Sequence, residues 1–130
     1  MASQVKTVMC IDDDKDILRL NKQLLESTGN YKVQCFTSAK EALQSVSSSM
    51  PDLILLDMVM PEMDGIAVLE KLKSNPATRP IPVLFMTAQK SPSDVKKYMD
   101  LGAVSVIHKP IDLEDFPFQM EMLSKIILNK

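Results

Sequence analysis

Short apolar runs alternate with amphipathic stretches along this chain, and the pair recurs five times with no low-complexity interruption. The first run is Thr7-Val8-Met9-Cys10-Ile11. It is followed by a stretch in which Ile17, Leu18, Leu24 and Leu25 share one helical face and Gly29 suits the C-terminal cap. The second run, residues 31–36, leads through Thr37-Ser38, either of which can cap a helix, to Ala39, Ala42, Leu43 and Val46 on one stripe. Ser47-Ser48-Ser49 reads as a polar turn. Leu53-Ile54-Leu55-Leu56 is continuously apolar, as a central strand covered on both faces should be, and it stops at Asp57. A proline-containing loop, Met58-Val59-Met60-Pro61-Glu62-Met63, then reaches Asp64-Gly65 and a helix with Ile66, Leu69 and Leu72 in register.

The fourth unit follows an exposed connection over residues 74–80. Its strand is Ile81-Pro82-Val83-Leu84-Phe85-Met86, Thr87-Ala88-Gln89 ends it, Ser91-Pro92-Ser93 opens a helix through Tyr98, Met99 and Leu101, and Gly102 closes that helix. The fifth strand spans residues 103–107. A last amphipathic segment carries Phe116, Met120, Leu123 and Ile127, and Pro117 delays its regular helix to about residue 115 or 116. Five strand-then-helix units predict an α/β fold: a doubly wound, five-stranded parallel sheet with helices on both faces, since parallel strands need crossovers and these are right-handed. In such sheets ligands bind outside the carboxyl ends of the strands.

Composition narrows the reading further. A chain of 130 residues is the size of one domain, expected to span residues 1–130, and 45% hydrophobic with 25% charged residues describes a folded chain rather than a disordered one. A formal charge of -2 gives no electrostatic footprint for DNA or RNA. The first apolar run is too short for a signal-peptide core or a membrane span, so a cytoplasmic protein is expected. Cys10 and Cys35 lie in strand-like runs without metal-site spacing and read as small buried hydrophobes.

The strand ends hold the chemistry. The first strand ends in Asp12-Asp13-Asp14, the third in Asp57, the fourth in Thr87 and the fifth in His108-Lys109-Pro110. Carboxylates crowded at one edge repel unless a cation sits among them, and oxygen-only donors favour Mg²⁺ or Mn²⁺ over zinc. Asp14 and Asp16 fit a different role, at the start of the first helix where negative charge suits the dipole.

On these motifs the sequence resembles the receiver domain of two-component response regulators, most like the single-domain, chemotaxis-regulator type: Asp12-Asp13, Asp57-Met58-Val59-Met60-Pro61 with Asp64-Gly65, Thr87-Ala88 and Lys109-Pro110. The resemblance runs nearly the whole chain and implies the flavodoxin-like strand order 2-1-3-4-5. It implies that Asp57 is the phosphoacceptor for a phosphohistidine of a sensor histidine kinase or histidine phosphotransfer protein. Asp13 directly, Asp12 through water and the Val59 carbonyl would hold Mg²⁺. Lys109 would pair with the phosphoryl group, Thr87 would donate its hydroxyl to it, and Pro110 would be a cis proline. Downstream partners would read the change on a face near residues 94–99, 103–107 and 118–125, where Phe118 and Met122 suit either a partner surface or a helix packed on the sheet. The molecule would be a monomer or a phosphorylation-dependent dimer, a switch rather than a turnover enzyme.

Three positions depart from or tune that pattern. Position 106, an aromatic in many members, is Val106, so a ring rotating there is not the readout. By the same resemblance Val59 and Gln89 flank the phosphoryl site, and an apolar Val59 cannot orient water for hydrolysis, which implies a phosphorylated state longer-lived than in members with a polar residue there. Among competing readings, Asp12-x-Asp14 is similar to the haloacid-dehalogenase phosphatases, but Asp16 stands where they need Thr or Val. A calcium loop fails at Ile17 and Gln23. A docking module that is never phosphorylated is disfavoured by the completeness of the constellation.

Overall fold

The computed structural model describes residues 7–28, 31–58, 60, 63–87 and 92–108. Five strands, β1 (Thr7–Ile11), β2 (Lys32–Phe36), β3 (Leu53–Asp57), β4 (Val83–Thr87) and β5 (Ser105–His108), form one parallel sheet in the order β2-β1-β3-β4-β5. The helices between them are α1 (Lys15–Thr28), α2 (Ala39–Ser49), α3 (Gly65–Ser74) and α4 (Pro92–Asp100). Every residue of β3 and β4 is buried, as their unbroken apolar runs require, while in the edge strand β2 only Val33 is buried. Among the described residues no helix is long and apolar enough to cross a membrane.

Strand alternation divides the core in two. Met9, Ile11, Ile54, Leu56, Val83, Phe85 and Val106 pack with residues of α2, α3 and α4. On the other face Val8, Cys10, Leu53, Leu55, Leu84, Met86 and Ile107 pack with Leu18 and Leu25 of α1. These two leucines lie seven residues apart, two turns along one stripe.

Local chemistry sets where the helices begin and end. Asp14 Oδ1 accepts from the amides of Asp16 and Ile17 and so caps α1; Ser38 and Asp64 cap α2 and α3 by accepting from the Glu41 and Ala67 amides. Pro92 occupies the first position of α4, where its missing amide hydrogen is no loss. Gly102, at φ 119°, takes the left-handed turn that leads into β5.

The structure corrects four sequence expectations. Ser47-Ser48-Ser49 is not a turn but the last part of α2: the Ser48 hydroxyl donates to the Ser45 carbonyl, which satisfies the polar side chain within the helix, and the chain turns only at Met50 (φ 43°). Strand β4 starts at Val83 rather than Ile81, because Pro82 has no amide to donate and joins the sheet only as an acceptor from the Ile54 amide. Strand β5 is Ser105–His108 rather than residues 103–107, since the Ala103 amide is spent on the Tyr98 carbonyl at the end of α4. Cys35 is exposed, not buried, because its edge strand has a neighbour on one side only. The connection over residues 74–80 is open except at Thr78, whose buried hydroxyl donates to the Leu72 carbonyl at 2.7 Å and closes α3. The expected Gly29 cap and the last amphipathic helix lie outside the described residues.

Candidate functional site

Asp12, Asp13 and Asp57 meet at the carboxyl edge of the sheet. The register that pairs Ile11 with Leu56 sets the residues after β1 beside the end of β3, and one carboxylate oxygen from each of the three aspartates lies within 4.8 Å of the others. This is the group of three potential metal ligands found among the described residues. Asp12 is fully buried and Asp57 6% exposed, whereas Asp13 is exposed.

The backbone holds each carboxylate in place. The Asp12 amide donates to the Phe36 carbonyl, which extends the β1–β2 pairing one residue past the strand, and Asp12 Oδ1 accepts from the Asp14 amide at 2.9 Å. After Asp57, the Met58 amide donates to the Met86 carbonyl and the Met58 carbonyl accepts from the Gly65 amide at 2.8 Å. The segment between β3 and α3 is thus pinned at both ends. A Cβ at Gly65 would stand 2.7 Å from the Asp57 carbonyl oxygen and 2.8 Å from Phe85 Cε1, so the close approach of α3 to the strand end needs a glycine.

The donor set suits a hard divalent ion. All three donors are carboxylate oxygens within 4.8 Å of one another, the oxygen-only set that favours Mg²⁺ or Mn²⁺. Thr87 is buried at 6% exposure at the end of β4, one register step from Asp57, which pairs with Met86. Of the residues expected at the site, the structure therefore gathers Asp12, Asp13 and Asp57 and sets Thr87 at the same sheet edge. Val59, Gln89, Lys109 and Pro110 lie outside the described residues.

A buried polar group beneath the site was missed in the sequence reading. Asn21 of α1 is fully buried, and its Nδ2 donates to the sulfur of Met86, the residue before Thr87, at 3.6 Å. Burial also holds the Cys10 thiol far above its usual pKa, a shift that Asn21 opposes. The available signal was position: Asn21 lies three residues after Leu18 and four before Leu25, on the buried stripe of α1.

Comparison with known proteins agrees with this geometry. A family model described as the response regulator receiver domain matches residues 8–120. The response regulator PleD of Caulobacter vibrioides is 37% identical over 105 residues, covering 81% of this chain and 23% of its own length. The transcriptional regulatory protein ZraR of Escherichia coli is 36% identical over 115 residues, covering 88% of this chain and 25% of its own. The chain thus spans about a quarter of the length of these curated relatives. Among solved structures, a CheY-like response regulator receiver domain protein from Methanospirillum hungatei superimposes with a TM-score of 0.82 at 27% identity, covering 95% of this chain and 96% of that one. With its five strands in the predicted order and its three aspartates gathered at one edge, the chain belongs to the receiver domain family of response regulators.

Proposed function

We propose that this chain is a signalling switch that accepts a phosphoryl group on Asp57. The convergence of Asp12, Asp13 and Asp57 within 4.8 Å, in a chain of the receiver family, carries the reading. A carboxylate oxygen of Asp57 attacks phosphorus in line. The new O–P bond forms as the P–N bond of a phosphohistidine breaks and the imidazole leaves, on a sensor histidine kinase or a histidine phosphotransfer protein.

Asp12, Asp13, Asp57 and the Val59 carbonyl would hold the ion, Mg²⁺ with Mn²⁺ as substitute. When bound, the ion supplies positive charge between the carboxylates and the incoming phosphoryl oxygens. Lys109 adds a point charge on the phosphoryl group, and Thr87 donates its hydroxyl to it. Both contacts exist only in the phosphorylated form, so they supply the differential free energy that moves the equilibrium between two shapes. The change is read by a downstream protein on the face of α4, β5 and the last helix. The receiver comprises residues 1–130, works in the cytoplasm as a monomer or phosphorylation-dependent dimer, and turns over no substrate beyond slow loss of its own phosphate.

The experiment is phosphate-affinity electrophoresis after treatment with acetyl phosphate and Mg²⁺. One retarded band in the native protein, absent in Asp57→Ala and in chelator, is expected. Equal retardation of Asp57→Ala, or no retardation of the native chain, overturns the assignment.

A further inference from the structure

We propose that Tyr98 is a positioning residue that couples the phosphoacceptor edge to helix α4 through the ring of Phe85, so that the aromatic element of this switch comes from a helix and not from β5. The proposal rests on the phosphoacceptor reading of Asp57.

Phe85 is fully buried and sits two residues before Thr87, hence on the same face of β4. Its ring is confined on three sides. At one side lies the start of α3, where a Cβ at Gly65 would come within 2.8 Å of Phe85 Cε1 and 2.7 Å of the Asp57 carbonyl oxygen. Across the β4–β5 register lies Val106, buried and β-branched, with one stiff torsion and no ring to turn. The third side is Tyr98, whose ring stands edge-on to Phe85 with centroids 5.3 Å apart and planes at 62°.

Of these three neighbours, Gly65 has no side chain to move and its amide is tied to the Met58 carbonyl at 2.8 Å, and Val106 is bound to β4 at the Phe85 register, whereas Tyr98 meets Phe85 ring against ring from a helix whose Ser93, Lys96, Lys97 and Met99 are exposed. A close-packed interior passes displacement to whatever can yield. When the end of β4 moves toward the phosphoryl group, Phe85 moves with it, and the yielding contact is Tyr98. The Tyr98 carbonyl accepts from the Ala103 amide at 3.1 Å, so a shift of Tyr98 also pulls on the turn into β5.

The sequence provides its own probe, having two tyrosines, Tyr31 and Tyr98, and no tryptophan. In a Tyr31→Phe protein labelled with 3-fluorotyrosine, Tyr98 gives the single fluorine resonance. We expect that resonance to shift, or to split into a second line, in proportion to the phosphorylated fraction read by electrophoresis of the same sample. Hydrogen exchange supplies the second arm. Phosphorylation should change protection across α4 in the native protein and in Tyr98→Phe, while Tyr98→Leu should be phosphorylated to the same extent and lose the α4 response. A fully phosphorylated chain with an unmoved resonance overturns the coupling and leaves the phosphoacceptor reading standing, as does an undiminished α4 response in Tyr98→Leu. A chain that takes no phosphate overturns both.

Discussion

Cys10 and Cys35 are paired across the β1–β2 register, yet one is fully buried and the other open, because Cys35 sits on the edge strand. Sequence pattern gave both the same apolar surroundings, and it could not tell a central strand from an edge one. Burial is partial at Cys35, and desolvation pushes its thiol above the usual range, opposed by the nearby Lys22 and reinforced by Glu26. Since the thiolate is the nucleophile, a raised pKa means less reactive sulfur at neutral pH. Alkylation of the native protein by iodoacetamide should occur at one cysteine, with a rate that climbs through a midpoint above the ~8.5 of a free thiol. A midpoint at or below that value contradicts the assignment of cause, and mass mapping should find Cys10 unmodified until denaturant is added. Val59 offers a second residue-level test. Its apolar side chain cannot orient water for attack on an acyl phosphate, so Val59→Asn should shorten the lifetime of the phosphorylated protein, followed by loss of the retarded band with time. Equal lifetimes would refute this.

Among the elements, periodicity was legible where apolar stripes were long and failed where polar residues ended them. The three serines after Val46 carry turn chemistry, but in α2 Ser48 returns its hydroxyl to the Ser45 carbonyl and the helix continues. Helix α2 then stops at Met50, a residue with a side chain held at φ 43°, ψ 65° and 47% exposed. Left-handed backbone costs an ordinary L residue roughly 1–2 kcal/mol, which glycine avoids while losing more chain entropy on folding. Met50→Gly is therefore expected to raise stability by about 0.5–1 kcal/mol, seen as a higher denaturant midpoint at unchanged slope. No change, or a fall, would mean that the Met50 side chain makes compensating contacts. The strand ends of β4 and β5 were misread for a related reason: a proline and a spent amide decide where pairing starts, and neither alters hydropathy.

For the whole molecule, the gathering of three strand-end carboxylates was readable from sequence because a parallel sheet brings all its carboxyl ends to one edge whatever fills the loops, while the strand order came from the family resemblance alone. The burial of Asn21 was signalled by its place on the α1 stripe, but its bond to Met86 and the Phe85–Tyr98 contact were not, since each depends on which side chains face each other across separate layers. The acidic trio has a global consequence. An ion that binds only the folded chain stabilises it by mass action, about 2.7 kcal/mol at a hundredfold excess over its dissociation constant. Mg²⁺ should accordingly raise the melting temperature of the native protein. Asp13→Asn, at the exposed member of the trio, should remove that increment and leave the metal-free protein as stable or more so, because one repelling charge is gone. A full Mg²⁺ response in Asp13→Asn would take that side chain out of the ion's shell. The strand order has a practical outcome as well. Cys35 lies on one rim of the sheet and β5 on the opposite rim. A dye or a surface tether attached through that sulfur would leave the far rim unobstructed, so a binding partner for α4 could be sought by immobilising the protein in a single known orientation.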